Sequence, residues 1–246
     1  MKTNFFKVTG IVLLAVLFFA NNTIHSQTFR KGAFLISASG GDVYAKYNTD
    51  NNTLMADDYT TSGPEQSDDY MKGIRDPLIL EYGLTHRIGI GISLGGDIWA
   101  VDPVKFYGIN TLDHKKVDVI TKEATLDLYY HMYVSRRIDW TVYGSVGTFS
   151  VFFNEEYDNK KQDYYAGGHI FRAGTSLRYY IFKRFAILGM ISHYDSQATP
   201  TQQHAEKNNL PHNYTTKIKG WAFETGFSFR FGKYAWDKQE VSFDEE

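Results

Sequence analysis

Three hairpins built to one plan constrain this chain more than any other feature. YGLTHRIGIG (82–91), YVSRRIDWTV (133–142) and YYIFKRFAILG (179–189) each set a basic corner between two apolar, aromatic arms. Their arginines Arg87, Arg137 and Arg184 fall 50 and 47 residues apart, a recurrence that signals a repeated supersecondary unit. Arg87, Arg136, Arg137, Lys183 and Arg184 read as wet turns. An arginine inside an arm, such as Arg178, is rare in the buried strand of a soluble enzyme and needs a special environment.

Period-2 alternation extends the pattern to eight candidate strands, near 32–44, 76–84, 88–101, 118–134, 138–153, 167–182, 185–195 and 215–231. The linkers alternate long and short. The basic corners are the short ones, and the long ones (45–75, 102–117, 154–166 and 196–214) are polar. No 3.6-residue period persists. An even number of strands with short turns at one end and long loops at the other predicts an all-β, eight-stranded antiparallel up-and-down barrel.

The character of the two faces decides what the barrel sits in. In the last strand Trp221, Phe223, Phe227, Phe229 and Phe231 oppose Gly220, Ala222, Glu224, Gly226, Ser228 and Arg230. The third strand sets Ile88, Ile90, Ile92, Leu94 and Ile98 against Gly89, Gly91, Ser93, Gly95 and Asp97. The fourth sets Ala124, Leu126, Leu128, Tyr130, Met132 and Val134 against Glu123, Thr125, Asp127, Tyr129, His131 and Tyr133. A soluble, lipocalin-like barrel would turn the second face to water and crowd it with Lys and Glu. Instead it is small, with sparse charges of both signs, which suits the filled interior of an eight-stranded barrel. The bulky face is then left for lipid. Tyr82, Tyr130, Trp140, Tyr179, Phe229 and Phe231 cluster near the corners as an expected interfacial girdle.

Lys2 and Lys7 flank an apolar run at 8–20 with a cleavage point after Ser26, the layout of an export signal and too short to span a membrane. The expected organisation is a signal segment at 1–26, a transmembrane barrel at 27–232 and a short periplasmic tail at 233–246. The chain has no cysteine, so disulfides and Cys-zinc sites are excluded, and its net charge of −2 gives no sign of a nucleic-acid partner. Aromatic residues make up 16%, which fits a lipid-facing wall.

With its export signal, its corners YYIFKRFAILG, YGLTHRIGIG and YVSRRIDWTV and its final strand FETGFSFRF, the chain resembles the small eight-stranded outer-membrane β-barrels of Gram-negative bacteria, of the type of outer-membrane proteins A, X and W. The resemblance covers residues 28–231 and speaks to architecture more than to function. It implies an outer-membrane location with periplasmic termini and extracellular long loops. The implied partners are outer-membrane lipids and lipopolysaccharide, the barrel-insertion machinery, and a surface or envelope protein met by the loops. Barrels of this group often end on an aromatic residue, whereas here GKYAWDKQEVSFDEE follows Phe231.

Glu81, Asp97, Asp127, Arg172, Arg178, Glu224 and Arg230 fall on the inward face and are expected to form an ion-pair and tyrosine network plugging the lumen, because buried charges must pair. Counting from the turns puts Glu81 and Arg178 in one layer, with Asp127, Arg172 and Glu224 above them. Asp57, Asp58, Asp68 and Asp69 in the first long loop could bind Ca²⁺, but they lack EF-hand spacing and read first as a solvated loop. Outer-membrane lipid A deacylases are similar barrels that use Ser, His and an acid. His193, Ser196 and Glu206 are the only candidates here, and a spacing of three cannot put His193 and Ser196 on one strand face. No cofactor is expected. The expected role is non-enzymatic, structural or surface-interacting through the extracellular loops. The alternatives are a narrow channel or carrier for small or hydrophobic molecules and, after it, a lipid A modifying hydrolase.

Overall fold

The computed structural model describes residues 29–50, 70–100, 114–157, 160–199 and 215–232. The export segment, Asp57, Asp58, Asp68, Asp69, Glu206 and the tail lie outside them. Among the described residues are nine strand segments: β1 (Phe34–Asp50), β2 (Tyr70–Arg75), β3 (Leu78–Gly83), β4 (Ile88–Ala100), β5 (His114–Val134), β6 (Ile138–Tyr157), β7 (Lys160–Tyr180), β8 (Phe185–Thr199) and β9 (Thr215–Phe231). All neighbours are antiparallel, and β9 pairs with β1 over its whole length, which closes the wall.

Nine segments make eight staves. β2 and β3 both pair with β1 and β4, and the register runs unbroken from Gly41↔Arg75 to Ala38↔Leu78. Only Pro77, which has no N–H to donate, interrupts the ladder, and its carbonyl still accepts from the Ser39 amide at 3.2 Å. The second stave therefore starts at Tyr70, six residues before the expected 76.

Strand tilt follows from the register. Paired residues traced once round the wall from Ile36 pass through Leu80, Ile92, Leu126, Val146, Phe171, Asp195 and Lys219, and return to β1 at Lys46. That is ten residues beyond the start. Such a stagger on eight staves tilts the strands by about 40°, so each residue climbs about 2.5 Å along the axis. With the stagger allowed for, the six girdle aromatics lie in one belt about 8 Å deep at the end that carries the basic corners.

Below the outer third, the wall is apolar outside and polar within. Leu126 is 61% and Phe227 57% exposed, while Glu81 and Arg178 are each 1% exposed. On β9 the outward apolar residues run from Phe231 to Trp221, ten residues or about 25 Å of height, the thickness expected of a barrel's lipid-facing band. A wall with this exterior belongs in a bilayer.

Above that band lysines enter the outward face, beside Ile74 on β2 and Ile98 on β4, which stay exposed and apolar. Outward positions become Lys122 on β5, Lys219 and Lys217 on β9, and Lys46 on β1. Inward ones become Trp99, Val119, Phe149, Val151, Ile170 and Ile218, one buried apolar cluster. The outer end of the barrel thus combines an apolar core inside with a mixed outer face. Strands β5, β6 and β7 continue furthest, pairing out to Tyr157↔Lys160. They rise roughly 12 Å above the outer end of β4. The expected long linker at 154–166 is therefore mostly strand.

One local reading needs correction. Met132 and Val134, expected to face lipid, are buried. The pairing shifts from His131↔Thr141 to Tyr133↔Trp140, so Met132 is the extra residue of a β-bulge and the alternation changes phase there. Val134 consequently points inward and packs with Phe29, Ala33 and Leu35.

Candidate functional site: the filled lumen

Two charged layers fill the lumen beneath the apolar cluster. The layer nearer the turns is a ring of four. His131 sits between two carboxylates, with Nδ1 2.6 Å from Asp139 Oδ1 and Nε2 2.8 Å from Glu81 Oε1. Arg178 closes the ring through Nη2, 2.6 Å from Glu81 Oε2, and Nη1, 3.2 Å from Asp139 Oδ2. Both imidazole nitrogens face acceptors, so the ring serves as a double donor. With the ring protonated, two cations and two carboxylates balance in this layer, joined by charge-assisted hydrogen bonds. The Phe29 ring lies flat on His131, with centroids 3.4 Å apart and planes 15° apart, and shuts this layer off from below.

The upper layer centres on Arg75. Its guanidinium meets Asp97 at 3.0 Å, Glu123, and Glu224 at 3.3 Å, while Arg172 Nη2 reaches the other oxygen of Glu123 at 2.7 Å. Hydroxyl groups donate to two of these carboxylates: Thr121 Oγ1 to Asp97 Oδ2 at 3.0 Å and Ser39 Oγ to Glu224 Oε2 at 2.8 Å. Arg172 also lies over the Tyr194 ring, 5.4 Å from its centroid. Two arginines face three carboxylates here.

The expected network is thus brought together in part. Glu81 meets Arg178, and Arg172 and Glu224 join the upper layer through Glu123 and Arg75. Asp127 requires correction, since among the described residues no cation pairs with it. It accepts instead from Ser93, from Thr125 Oγ1 at 2.8 Å and from Tyr129 OH at 2.9 Å, so hydroxyl groups alone satisfy it. Arg230 lies apart near the turns, donating to the Lys183 carbonyl at 2.9 Å and covering the Tyr180 ring at 5.1 Å. Sequence reasoning left Arg75, Glu123, His131 and Asp139 out of the network. For Arg75 a signal existed: Met71, Gly73 and Arg75 alternate in phase with Ile79 and Glu81 across Pro77.

The corners reach the girdle. Arg87 Nη1 lies 3.5 Å from the Tyr130 hydroxyl and Arg137 Nη1 3.5 Å from the Tyr179 hydroxyl, each on the next stave. Trp140, also in the girdle, donates from Nε1 to Thr175 Oγ1 at 2.8 Å. Arg136, Lys183 and Arg184 occupy the turns as expected. His193 faces outward with its ring edge-on to Trp221 at 5.0 Å, whereas Ser196 is buried inside and donates to the Ile218 carbonyl at 2.8 Å. These two residues are not brought together. On the outer wall a furrow of about 660 Å³ lies between Leu126, Val146, Phe171 and His193, floored by Gly144.

No protein-family model and no curated protein sequence matches the chain. Solved structures similar to it include Ail, the attachment invasion locus protein of Yersinia pestis, at 13% identity and a TM-score of 0.45, covering 81% of this chain and 99% of that one. Another is the outer membrane protein OprG from Pseudomonas aeruginosa, at 17% identity and a TM-score of 0.48, covering 85% of this chain and all of that one. The E. coli outer membrane protein W aligns at 14% identity with a TM-score of 0.41, over 82% of this chain and 99% of that one. With a closed wall of eight staves that is apolar outside and charged within, the chain is an eight-stranded antiparallel transmembrane β-barrel.

Proposed function

We propose that the chain is a sealed, non-enzymatic outer-membrane barrel whose working part is its outer end. The observation that carries this reading is the double plug. An apolar cluster around Trp99, Phe149 and Ile218 sits on two layers of buried charge, so polar solutes meet dry side chains in the outer lumen and fixed ion pairs beneath. The protruding sheet of β5, β6 and β7 then supplies a rigid platform for partners at the cell surface. Reconstitution in planar bilayers tests the seal. The wild type should show no steady single-channel steps, and regular conductance would sink the reading.

A second reading is favoured by the same apolar outer lumen, which could admit a small hydrophobic molecule where it excludes ions. Liposomes holding a fluorescent apolar probe separate the two. Probe entry that depends on the protein, without ion conductance, supports the carrier.

A further inference from the structure

We infer that copies of this chain associate head to tail in the membrane, the face around Asp76 of one copy docking into the furrow beside His193 of the next. Asp76 is exposed on the outer side of the second stave, with Ile74 above it and Leu78 below. Among the described residues its carboxylate has no hydrogen-bond or ion-pair partner. A carboxylate on the lipid face is costly, and an ionisable group in that setting calls for a partner. The neighbouring staves offer none. The register sets Gly40 and Gly96 beside Asp76, the latter accepting from its amide at 3.4 Å. These bare flanks leave Ile74, Asp76 and Leu78 standing as a ridge. Ile74 and Ile98, at 66% and 64%, are the most exposed aliphatic side chains among the described residues. They keep this sector apolar to a height at which lysines enter the wall elsewhere, and an exposed apolar patch of that kind marks an interaction surface.

His193 is the complement. It faces outward within the lipid-facing band, edge-on to Trp221, and its nitrogens have no hydrogen-bond partner among the described residues. Barrels inserted in one membrane share orientation and depth, so residues of two copies meet only at equal height. Traced from Asp76 across the seam where β9 meets β1, the paired residues are Gly40, Thr225 and Gly189, a descent of about 9 Å over three staves. His193 lies four residues beyond Gly189, about 10 Å higher, which returns it to the height of Asp76. The furrow of about 660 Å³ beside it runs along the paired residues Gly144, Ala173 and His193. It is therefore inclined by about 50° to the axis, and the ridge of a facing copy leans the same way at about 40°. With Asp76 at His193, Leu78 sits over Ala173 and Gly144. The two faces stand three staves of eight apart, about 135° round the wall, so a two-fold pair cannot use both and copies join in rows or rings.

The contact does not involve the lumen, so its test is separate from the conductance experiment. The chain has no cysteine, and Leu78→Cys protein is mixed with Ala173→Cys protein in liposomes and oxidised. All variants are first shown to shift on unboiled gels. On non-reducing gels the mixture should form linked dimers about tenfold faster than either variant alone. Adding Asp76→His or His193→Asp to both proteins should slow linking about tenfold, and Asp76→Asn, which keeps the shape, should slow it equally. Adding Asp76→His and His193→Asp together should restore the rate to within about threefold, because the pair is remade with its members exchanged. A mixture no faster than either variant alone would leave the furrow to lipid and overturn the assignment. Charge variants that do not slow linking, or an exchanged pair that does not recover it, would overturn it as well.

Discussion

Arg75 has the most to lose from substitution. It touches three carboxylates in a dry layer, so Arg75→Met removes the counter-charge that Asp97, Glu123 and Glu224 share. Breaking a buried ion pair by removing one partner costs roughly 3–5 kcal/mol. In urea unfolding from detergent micelles the midpoint should drop accordingly. A triple variant that also carries Asp97→Asn and Glu224→Gln should regain much of the loss, because fewer charges remain unpaired. Additive losses across the set would contradict a coupled layer. The ring below offers a contrast. Glu81 and Arg178 could be paired from sequence because both lie a few residues from a corner and on the inward face. Arg75 was missed, because its segment reads as loop unless the alternation is followed through Pro77.

At the level of elements, the hairpins were legible and the outer strand ends were not, for one physical reason. Near the corners a strand alternates bulky-out and small-in, and a tight polar turn fixes its end. On β5 the sign of the alternation flips near Thr121 and Lys122, with Leu126 outside below and Val119 inside above. A pattern search of a single sign therefore loses the strand just where it leaves the bilayer, as it does at 154–166. The bulge at Met132 hid the inward position of Val134 in a similar way, by a change of phase. Curvature is a further property of elements. A Cβ placed on Gly147 would lie 2.0 Å from the Ala124 carbonyl oxygen, so this glycine lets β6 bend tightly against β5. Gly147→Val should cost about 1–3 kcal/mol or block closure, while Gly144→Val, which meets nothing closer than 4.0 Å, should be tolerated. Gel mobility without boiling reads both outcomes, and equal behaviour of the two variants would remove the curvature argument.

For the whole molecule, the level at which lysines enter the outward face sets how deep the barrel sits. Two boundaries were derived separately, the girdle at the corner end and the lysines at the outer end, and they stand about 25 Å apart along β9. Phe149 and Ile218 pack inside the outer lumen with Trp99 and Val119, at the level where lysines enter the outer face. The chain has no cysteine, so spin labels can be placed one at a time without background. Labels at Leu126 and Phe227 should be accessible to oxygen and shielded from a water-soluble nickel chelate. Labels at Lys122 and Lys46 should show the reverse, with the crossover within about two residues of Lys122 on β5 and of Trp221 on β9. A label at Lys46 as lipid-exposed as one at Phe227 would move the bilayer outward past the apolar cluster. The headgroup level would then lie above the seam lysines, and the protruding sheet of β5, β6 and β7 would lose most of its height above the membrane.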